Sequence, residues 1–337
     1  MQAWQINRFG LDSLRRVELP DPQPSSGEVL VRWRAQSLNY RDLVIVQGTY
    51  IPNLPLPFTP LSDAAGEVVA VGAGVAAWKS GNRVIGQYIQ SWLEGAPTQE
   101  NTRLALGAPL PGVLSEYSVL PVHGLVPLPD YMSFDEGATL PIAAVTAWNA
   151  LFSHGDLTPG ATVLTEGTGG VSLFGLQLAK VAGLRTIITS SSDEKLSRAR
   201  ALGADETINY RATPEWSRRV REMTGGAGVD LVLEVGGPAT VNEALRSVRF
   251  GGRIALIGFL SGTALPLDAL DFIRGLVTLH AVRVGSREMF RDLLRALEQH
   301  KLRPQIDRVF RFSEVPEAFQ YLSKGAHFGK IVIHADE

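Results

Sequence analysis

The residues with the plainest chemical use lie at the middle of the chain, Thr165-Glu166-Gly167-Thr168-Gly169-Gly170-Val171-Ser172. They follow the strand-like run Ala161-Thr162-Val163-Leu164. They open a stretch in which Val171, Phe174, Leu178 and Val181 recur at spacings of three and four, one face of a helix. A glycine turn between strand and helix suits a dinucleotide's diphosphate. Gly167 permits the tight turn, and Gly169 removes the Cβ that would keep the backbone from the anion. The unpaired N–H groups and the positive end of the helix dipole, starting at Gly170 and Val171, then favour negative charge. The third position of the fingerprint is Ser172 rather than Gly or Ala, a departure, but still small enough for close helix–strand packing. The alternative is a turn that only reverses the chain; the strand–helix alternation around it argues against that.

The next strand bears on the choice of cofactor. About 20 residues after the first glycine an NAD site carries an acid for the ribose hydroxyls. Here that region is Ser190-Ser191-Ser192, followed by Asp193-Glu194-Lys195. Hydroxyls of Ser190 and Ser191 can donate to a 2′-phosphate, Lys195 brings a positive charge, and no acid at 190 repels it. NADP is therefore favoured, with NAD as the alternative. Ser192 is also placed to cap the following helix with Lys195 on its solvated face, and both roles are compatible. Glu166, an acid beside the phosphate turn, is expected to point away or to be held by a neighbour.

The elements that position these residues follow from pattern. Strands are expected at Thr186 to Thr189, Glu206 to Tyr210, Asp230 to Val235, Arg253 to Ile257 and Val277 to Val282. A helix from Asp193 to Leu202 should stop at Gly203. This alternation predicts a doubly wound parallel sheet, a Rossmann domain. The first 120 residues differ: Val29 to Ala35, Gly66 to Gly72 and Arg83 to Gly86 read as short strands between turns, and Asp21 to Gly27 as a loop. That pattern suggests a partly open barrel. A last helix, Ser286 to His300, should carry Met289, Leu293, Leu294 and Leu297 on one side.

Composition removes several classes of function. Of the 337 residues, 45% are hydrophobic and 20% charged, and the net charge is -2, so no basic stripe for nucleic acid is expected. No apolar run approaches the roughly 20 residues needed to cross a bilayer. No secretory signal is read at the start, and a cytoplasmic location is expected. With no cysteine there is no disulfide, thiolate nucleophile or thiolate-ligated metal. His123, His154 and His300 have no motif around them and read as surface or loop residues.

Several stretches in order resemble the medium-chain dehydrogenase/reductase superfamily, and within it the zinc-free quinone-oxidoreductase-like branch. They are Ser37-Leu38-Asn39-Tyr40-Arg41-Asp42, Pro60-Leu61-Ser62-Asp63-Ala64-Ala65-Gly66-Glu67, Ala143 to Trp148, the glycine turn, Val229 to Val232 and Gly251 to Gly258. The resemblance implies an α/β protein with a GroES-like catalytic domain at 1–123, completed by 285–337, and a Rossmann domain at 124–284. It implies a homodimer through edge strands, and a small-molecule substrate.

Zinc enzymes of the superfamily carry Cys where Asn39 stands, His where Ser62 stands and an acid where Asp63 stands. Amide and hydroxyl are poor zinc ligands, so no metal is expected. Hydride would then go to an acceptor that is already electrophilic, a quinone or an α,β-unsaturated carbonyl. Asn39 is the candidate donor to the substrate oxygen, and Tyr50 matches a pocket tyrosine of quinone reductases. A second pocket tyrosine of those enzymes is replaced here by Val44. By the same resemblance Thr146 and the backbone at Gly258 and Phe259 should meet the nicotinamide, and Tyr210 and Lys195 the adenosine end. Asp42 and Asp63 read as structural acids rather than proton-transfer groups. The stretch Tyr88 to Leu93 reads as pocket cover or as a packed loop. Two other readings stay open: a zinc-free alcohol or carbonyl dehydrogenase, and an NADPH-binding protein without enzymatic activity.

Overall fold

The computed structural model describes residues 1–153 and 157–336, so His154 lies outside the described residues. The chain forms two compact units, Met1–Val145 with Val284–Glu337, and Thr146–Arg283. The stretch 124–145, expected in the nucleotide domain, goes with the first unit. The reason is backbone pairing: Leu125–Pro127 adds a strand to that unit's sheet.

Strands are numbered along the chain. The first unit contains β1 (Gln2–Ile6), β2 (Leu14–Glu18), β3 (Glu28–Leu38), β4 (Asp63–Val71), β5 (Arg83–Gly86), β6 (Tyr117–Pro121), β7 (Leu125–Pro127), β14 (Ile306–Arg311) and β15 (Lys330–His334). Among the described residues the main sheet runs β14-β15-β3-β4-β5-β7, with β6 also pairing β3. β3 is the spine. Val29, Val31, Trp33 and Ala35 alternate inward against half-exposed neighbours, the period of two expected of a strand with one buried face. Its last residues, Ala35 to Leu38, are buried on both faces. There β3 is flanked by antiparallel neighbours, with Ser37 opposite Asp63 on β4 and Leu38 opposite Ile331 on β15. That register brings Asn39, Asp63 and Lys330 to one end of the sheet from three distant parts of the sequence.

The second unit holds β8 (Thr162–Glu166), β9 (Arg185–Ser190), β10 (Glu206–Asn209), β11 (Val229–Glu234), β12 (Val248–Leu256) and β13 (Thr278–Ala281). Among the described residues they form one sheet, in the order β10-β9-β8-β11-β12-β13, and every pairing is parallel. This is the doubly wound order whose switch point lies between the first strand and the fourth, here β8 and β11. The expected Rossmann fold is present. The helix Gly170–Val181 buries more than the expected stripe: Leu173, Leu176 and Ala179 are covered along with Phe174 and Leu178, while Val171 and Val181 are half-exposed at its edges. Close packing on a sheet covers a wider arc than spacing alone suggests.

The helix Asp193–Ala201 ends at Leu202, and Gly203 takes φ +101°. In the first unit, Ser286 caps the helix Arg287–His300, whose buried face is Phe290, Leu293, Leu294 and Leu297; Met289 is half-buried. No helix among the described residues is long and apolar enough to cross a membrane.

Candidate functional site

The glycine turn leaves β8 at Glu166, and the following helix begins at Gly170 with Gly169 as its N-cap. Among the described residues no side chain caps this helix, whereas Ser192 and Ser286 cap two others. Its first N–H groups therefore lack the partner that a helix start usually finds. Gly167 has φ +71°, and a Cβ built at Gly167 or Gly169 would meet no heavy atom within 4 Å. The open side of the turn and the uncapped N–H groups suit a diphosphate, so these residues fit a dinucleotide. Thr168 and Ser172 are buried, and the Ser172 hydroxyl donates to the Glu166 carbonyl at 2.6 Å, tying helix to strand.

Parallel strands place their C-terminal ends along one edge of the sheet, and most of the other expected cofactor residues gather there. Ser190 ends β9 and is buried, with Ser191 half-buried after it; Tyr210, largely exposed, follows β10 and donates its N–H to the Ser190 carbonyl. The Ser192 hydroxyl accepts from the Lys195 N–H at 3.4 Å, so the capping role is realised. Gly258 is glycine for a reason internal to the fold: a Cβ there would lie 2.2 Å from the Val235 carbonyl oxygen. Ser261 N–H donates to the Gly236 carbonyl, so the loop carrying Gly258 and Phe259 is stitched to the loop after β11. Thr146 is buried in the short turn of helix Val145–Trp148.

Glu166 is held by neighbours, as expected of an acid in that position, and one of those neighbours is another acid. Its carboxyl is buried beside Glu234, the last residue of β11, and Val235 N–H reaches it at 3.4 Å. Burial pushes the Glu166 carboxyl well above the ordinary range, and the adjacent Glu234 adds to the effect. Glu234 is spent on the backbone: one oxygen accepts from Gly236 N–H, Gly237 N–H and the Thr240 hydroxyl, each at 2.7 Å. The shift disfavours a negative charge on Glu166 beside the turn.

In the first unit the end of β3 forms a buried polar cluster. Asn39 N–H donates to the Asp42 carboxylate at 2.8 Å at the start of the helix Tyr40–Val46. Its Nδ2 donates to Asp63 Oδ2 at 2.9 Å, and its Oδ1 accepts from Lys330 Nζ at 2.6 Å. Lys330 also donates to the Leu38 carbonyl at 2.7 Å and stands 3.8 Å from Asp63 Oδ2. Burial raises the Asp63 carboxyl to about 7, against the opposing pull of Lys330 and Asn39; burial lowers Lys330, against Asp63 and Asp42. Ser62 donates to Asp42 at 3.3 Å and accepts from Arg41 at 2.9 Å. Arg41 also reaches the carbonyls of Gly107 and Ala108 and lies over the rings of Tyr50 and Tyr88. Asp42 and Asp63 thus tie loops together.

Among the remaining expectations, Tyr50 is 44% exposed with Arg41 against its ring, and Val44 is buried. Tyr88 and Trp92 are buried, the latter bonded to the Gly95 carbonyl, the arrangement of a packed loop. His123 and His300 are exposed. Pattern reasoning gave no role to Lys330, Glu234 or Arg41. Lys330 had a signal: a lysine opening the apolar run Ile331-Val332-Ile333 directly after a glycine.

The donor set at Asn39, Ser62 and Asp63 does not suit zinc. It offers one carboxylate, and an ammonium lies beside that carboxylate. Among the described residues no group of three His, Cys, Asp or Glu side chains could hold a metal.

Comparison with known proteins agrees with both units. Residues 25–130 match the alcohol dehydrogenase GroES-like domain, and residues 170–299 the zinc-binding dehydrogenase family. A zinc-type alcohol dehydrogenase-like protein of Schizosaccharomyces pombe is 43% identical over 97% of this chain and 96% of its own length. The chain belongs to the medium-chain dehydrogenase/reductase superfamily of NAD(P)-dependent oxidoreductases. Quinone oxidoreductase of Homo sapiens is 26% identical, over 99% of this chain and 97% of its own. An NAD-dependent alcohol dehydrogenase of known structure superposes with TM-score 0.92 at 33% identity, covering all of both chains. The mycobacterial protein Rv1454c, solved with NADPH, does so with TM-score 0.84 at 28% identity, over 99% of each. The zinc-named family model covers residues 170–299, so none of positions 39, 62 and 63 falls within it.

Proposed function

We propose that this superfamily member is a zinc-independent, NADPH-dependent reductase of quinones or α,β-unsaturated carbonyls. The observation that carries the reading is Lys330: its ammonium lies among Leu38, Asn39 and Asp63, where a metal cation would be repelled. Without a Lewis acid the substrate must already be electrophilic. Bound NADPH would supply hydride from C4 of its nicotinamide. Gly167, Thr168, Gly169, Gly170 and Val171 would receive the diphosphate, and Ser190, Ser191, Lys195 and Tyr210 the adenosine end. Thr146, Gly258 and Phe259 would border the nicotinamide. Asn39 would donate an N–H to the substrate oxygen as enolate charge builds there, and Tyr50 would be a second donor.

The deciding assay measures NADPH and NADH oxidation against a quinone, an enone and an aldehyde, and alcohol oxidation in reverse, with and without a chelator. Quinone or enone reduction untouched by chelation is expected. Stoichiometric zinc in freshly purified protein, or chelator-sensitive alcohol oxidation, overturns the reading. The names of the S. pombe relative and of the NAD-dependent structure favour alcohol oxidation as the second reading. Tight NADPH binding with no turnover of any substrate would instead favour a cofactor-binding protein.

Cofactor choice has its own test. Ser190→Asp places a carboxylate where a 2′-phosphate would lie, and the NADPH-to-NADH ratio of kcat/KM is expected to fall at least about tenfold, roughly 1.4 kcal/mol. An unchanged ratio would remove Ser190 from the ribose.

A homodimer through the second unit is also proposed. β13 is an edge strand, and just before it in sequence the helix Ala269–Gly275 exposes Leu270 and Ile273, the latter 67% accessible, with Leu276 next in line. An unpaired edge flanked by exposed apolar side chains suits a second chain. Sedimentation should give the mass of two chains for the wild type and of one for Leu270→Asp/Ile273→Asp. A monomeric wild type would sink this proposal.

A further inference from the structure

We propose that Lys330 is a positioning residue: its buried ammonium fixes the Asn39 amide in the orientation that presents a free N–H, and strengthens that N–H as a donor. This deepens the reading in which Asn39 donates to the substrate oxygen. The geometry is specific. Nζ donates to the Leu38 carbonyl at 2.7 Å and to Asn39 Oδ1 at 2.6 Å, and Asp63 Oδ2 stands at ion-pair distance, 3.8 Å.

The two ends of the Asn39 amide meet opposite partners. Lys330 can only donate, so it demands the oxygen; Asp63 Oδ2 accepts the Nδ2 hydrogen bond at 2.9 Å, so it demands the nitrogen. Flipping the amide would set NH₂ against ammonium and carbonyl against carboxylate. With the amide so held, one Nδ2 hydrogen goes to Asp63 and the second has no partner among the described residues. Asn39 is only half-buried, so that second hydrogen is within reach of a ligand. A cation on the amide oxygen draws electron density from nitrogen, and hydrogen bonds in series reinforce one another.

The bland role for Lys330 is neutralisation of a buried acid. Asp42 lies within the influence of both Arg41 and Lys330, and Asp63 within that of Lys330, each cation opposing the effect of burial on the acid. The double variant Lys330→Met/Asp63→Asn removes one charge of each sign, and the single variant Asp63→Asn, which keeps Lys330 on the Asn39 oxygen, reports the loss of the Asp63 acceptor alone. If Lys330 only neutralises, the double variant turns over at least as fast as Asp63→Asn alone. If it positions Asn39, kcat of the double variant for the quinone or enone falls at least about tenfold below that of Asp63→Asn, roughly 1.4 kcal/mol, with KM and NADPH affinity near wild type. Asn39→Asp keeps a partner for Lys330 but removes both N–H donors, so it should lose a similar factor. Combining all three substitutions should cost little more than either alone, because both routes pass through one N–H.

A second readout does not depend on turnover. The ¹⁵N side-chain amide pair of Asn39, identified by its absence in Asn39→Asp, should show two resonances displaced from those of a solvated asparagine in the wild type. In Lys330→Met/Asp63→Asn they should move toward the values of a solvated asparagine. Resonances unchanged by loss of Lys330, or a double variant with kcat within twofold of Asp63→Asn, overturn the inference. Failure of the wild type to reduce any quinone or enone overturns the functional reading instead, and the resonances still decide the role of Lys330.

Discussion

Replacing Gly169 with valine is expected to raise the dissociation constant for NADPH about 100-fold or more, roughly 2.7 kcal/mol, while the protein stays folded. The two halves of this expectation come from different facts. Gly169 has φ -81° and ψ -176°, extended backbone that any residue adopts, and a Cβ built on it meets nothing within 4 Å. The fold therefore has no objection to a side chain there. In the proposed reading the cofactor does, because a diphosphate reaching the uncapped N–H groups would need the space beside the turn. Gly167→Val is a poorer experiment: φ +71° is costly for valine, so lost binding could come from a distorted turn. Fluorescence titration with NADPH alongside thermal melts measures both halves. A Gly169→Val protein that melts like the wild type and binds NADPH as tightly would mean that the diphosphate lies elsewhere.

The second large effect concerns stability against pH. Glu166 in the folded chain holds its proton well above the ordinary value of 4.5, through burial first and Glu234 second. Between 4.5 and the folded-state value the native form therefore binds one proton more than the unfolded chain. Stability is fully present below 4.5, falls by about 1.4 kcal/mol per pH unit across that window, and is flat above it. Glu166→Gln keeps the shape and the donor toward Glu234 but carries no titrating proton, so its stability should fall less steeply over the same range. Asp63, raised to about 7, contributes a loss of the same sign in both proteins and cancels in the comparison. Urea midpoints at pH 5, 6, 7 and 8 give the two curves. Parallel curves would mean that Glu166 is ionised in the native state.

Much of the second unit could be read before its structure was known, because its information is local. Strand, glycine turn and amphipathic helix follow one another within 162–181, and the alternation continues to β13. A parallel sheet with short crossovers leaves few other arrangements. Where spacing misled, as in the width of the buried face on Gly170–Val181, close packing on the sheet covered more of the helix than periodicity reports. The place of 124–145 could not be read for a related reason: three residues, Leu125–Pro127, join it to β5, and so short a strand carries almost no pattern.

What the amino-acid order settled unaided, then, was the glycine turn between strand and helix, the absence of thiolates and the weak metal donors at 39, 62 and 63. Which side chains touch was settled by pairing over long distances. Lys330 meets Asn39 across 291 positions because β15 and β4 flank β3 in one register, and Glu166 meets the strand of Glu234 because β11 crosses back beside β8. A one-residue slip would turn those side chains to the opposite face of the sheet. No local propensity encodes such a meeting; only burial of the whole sheet selects it.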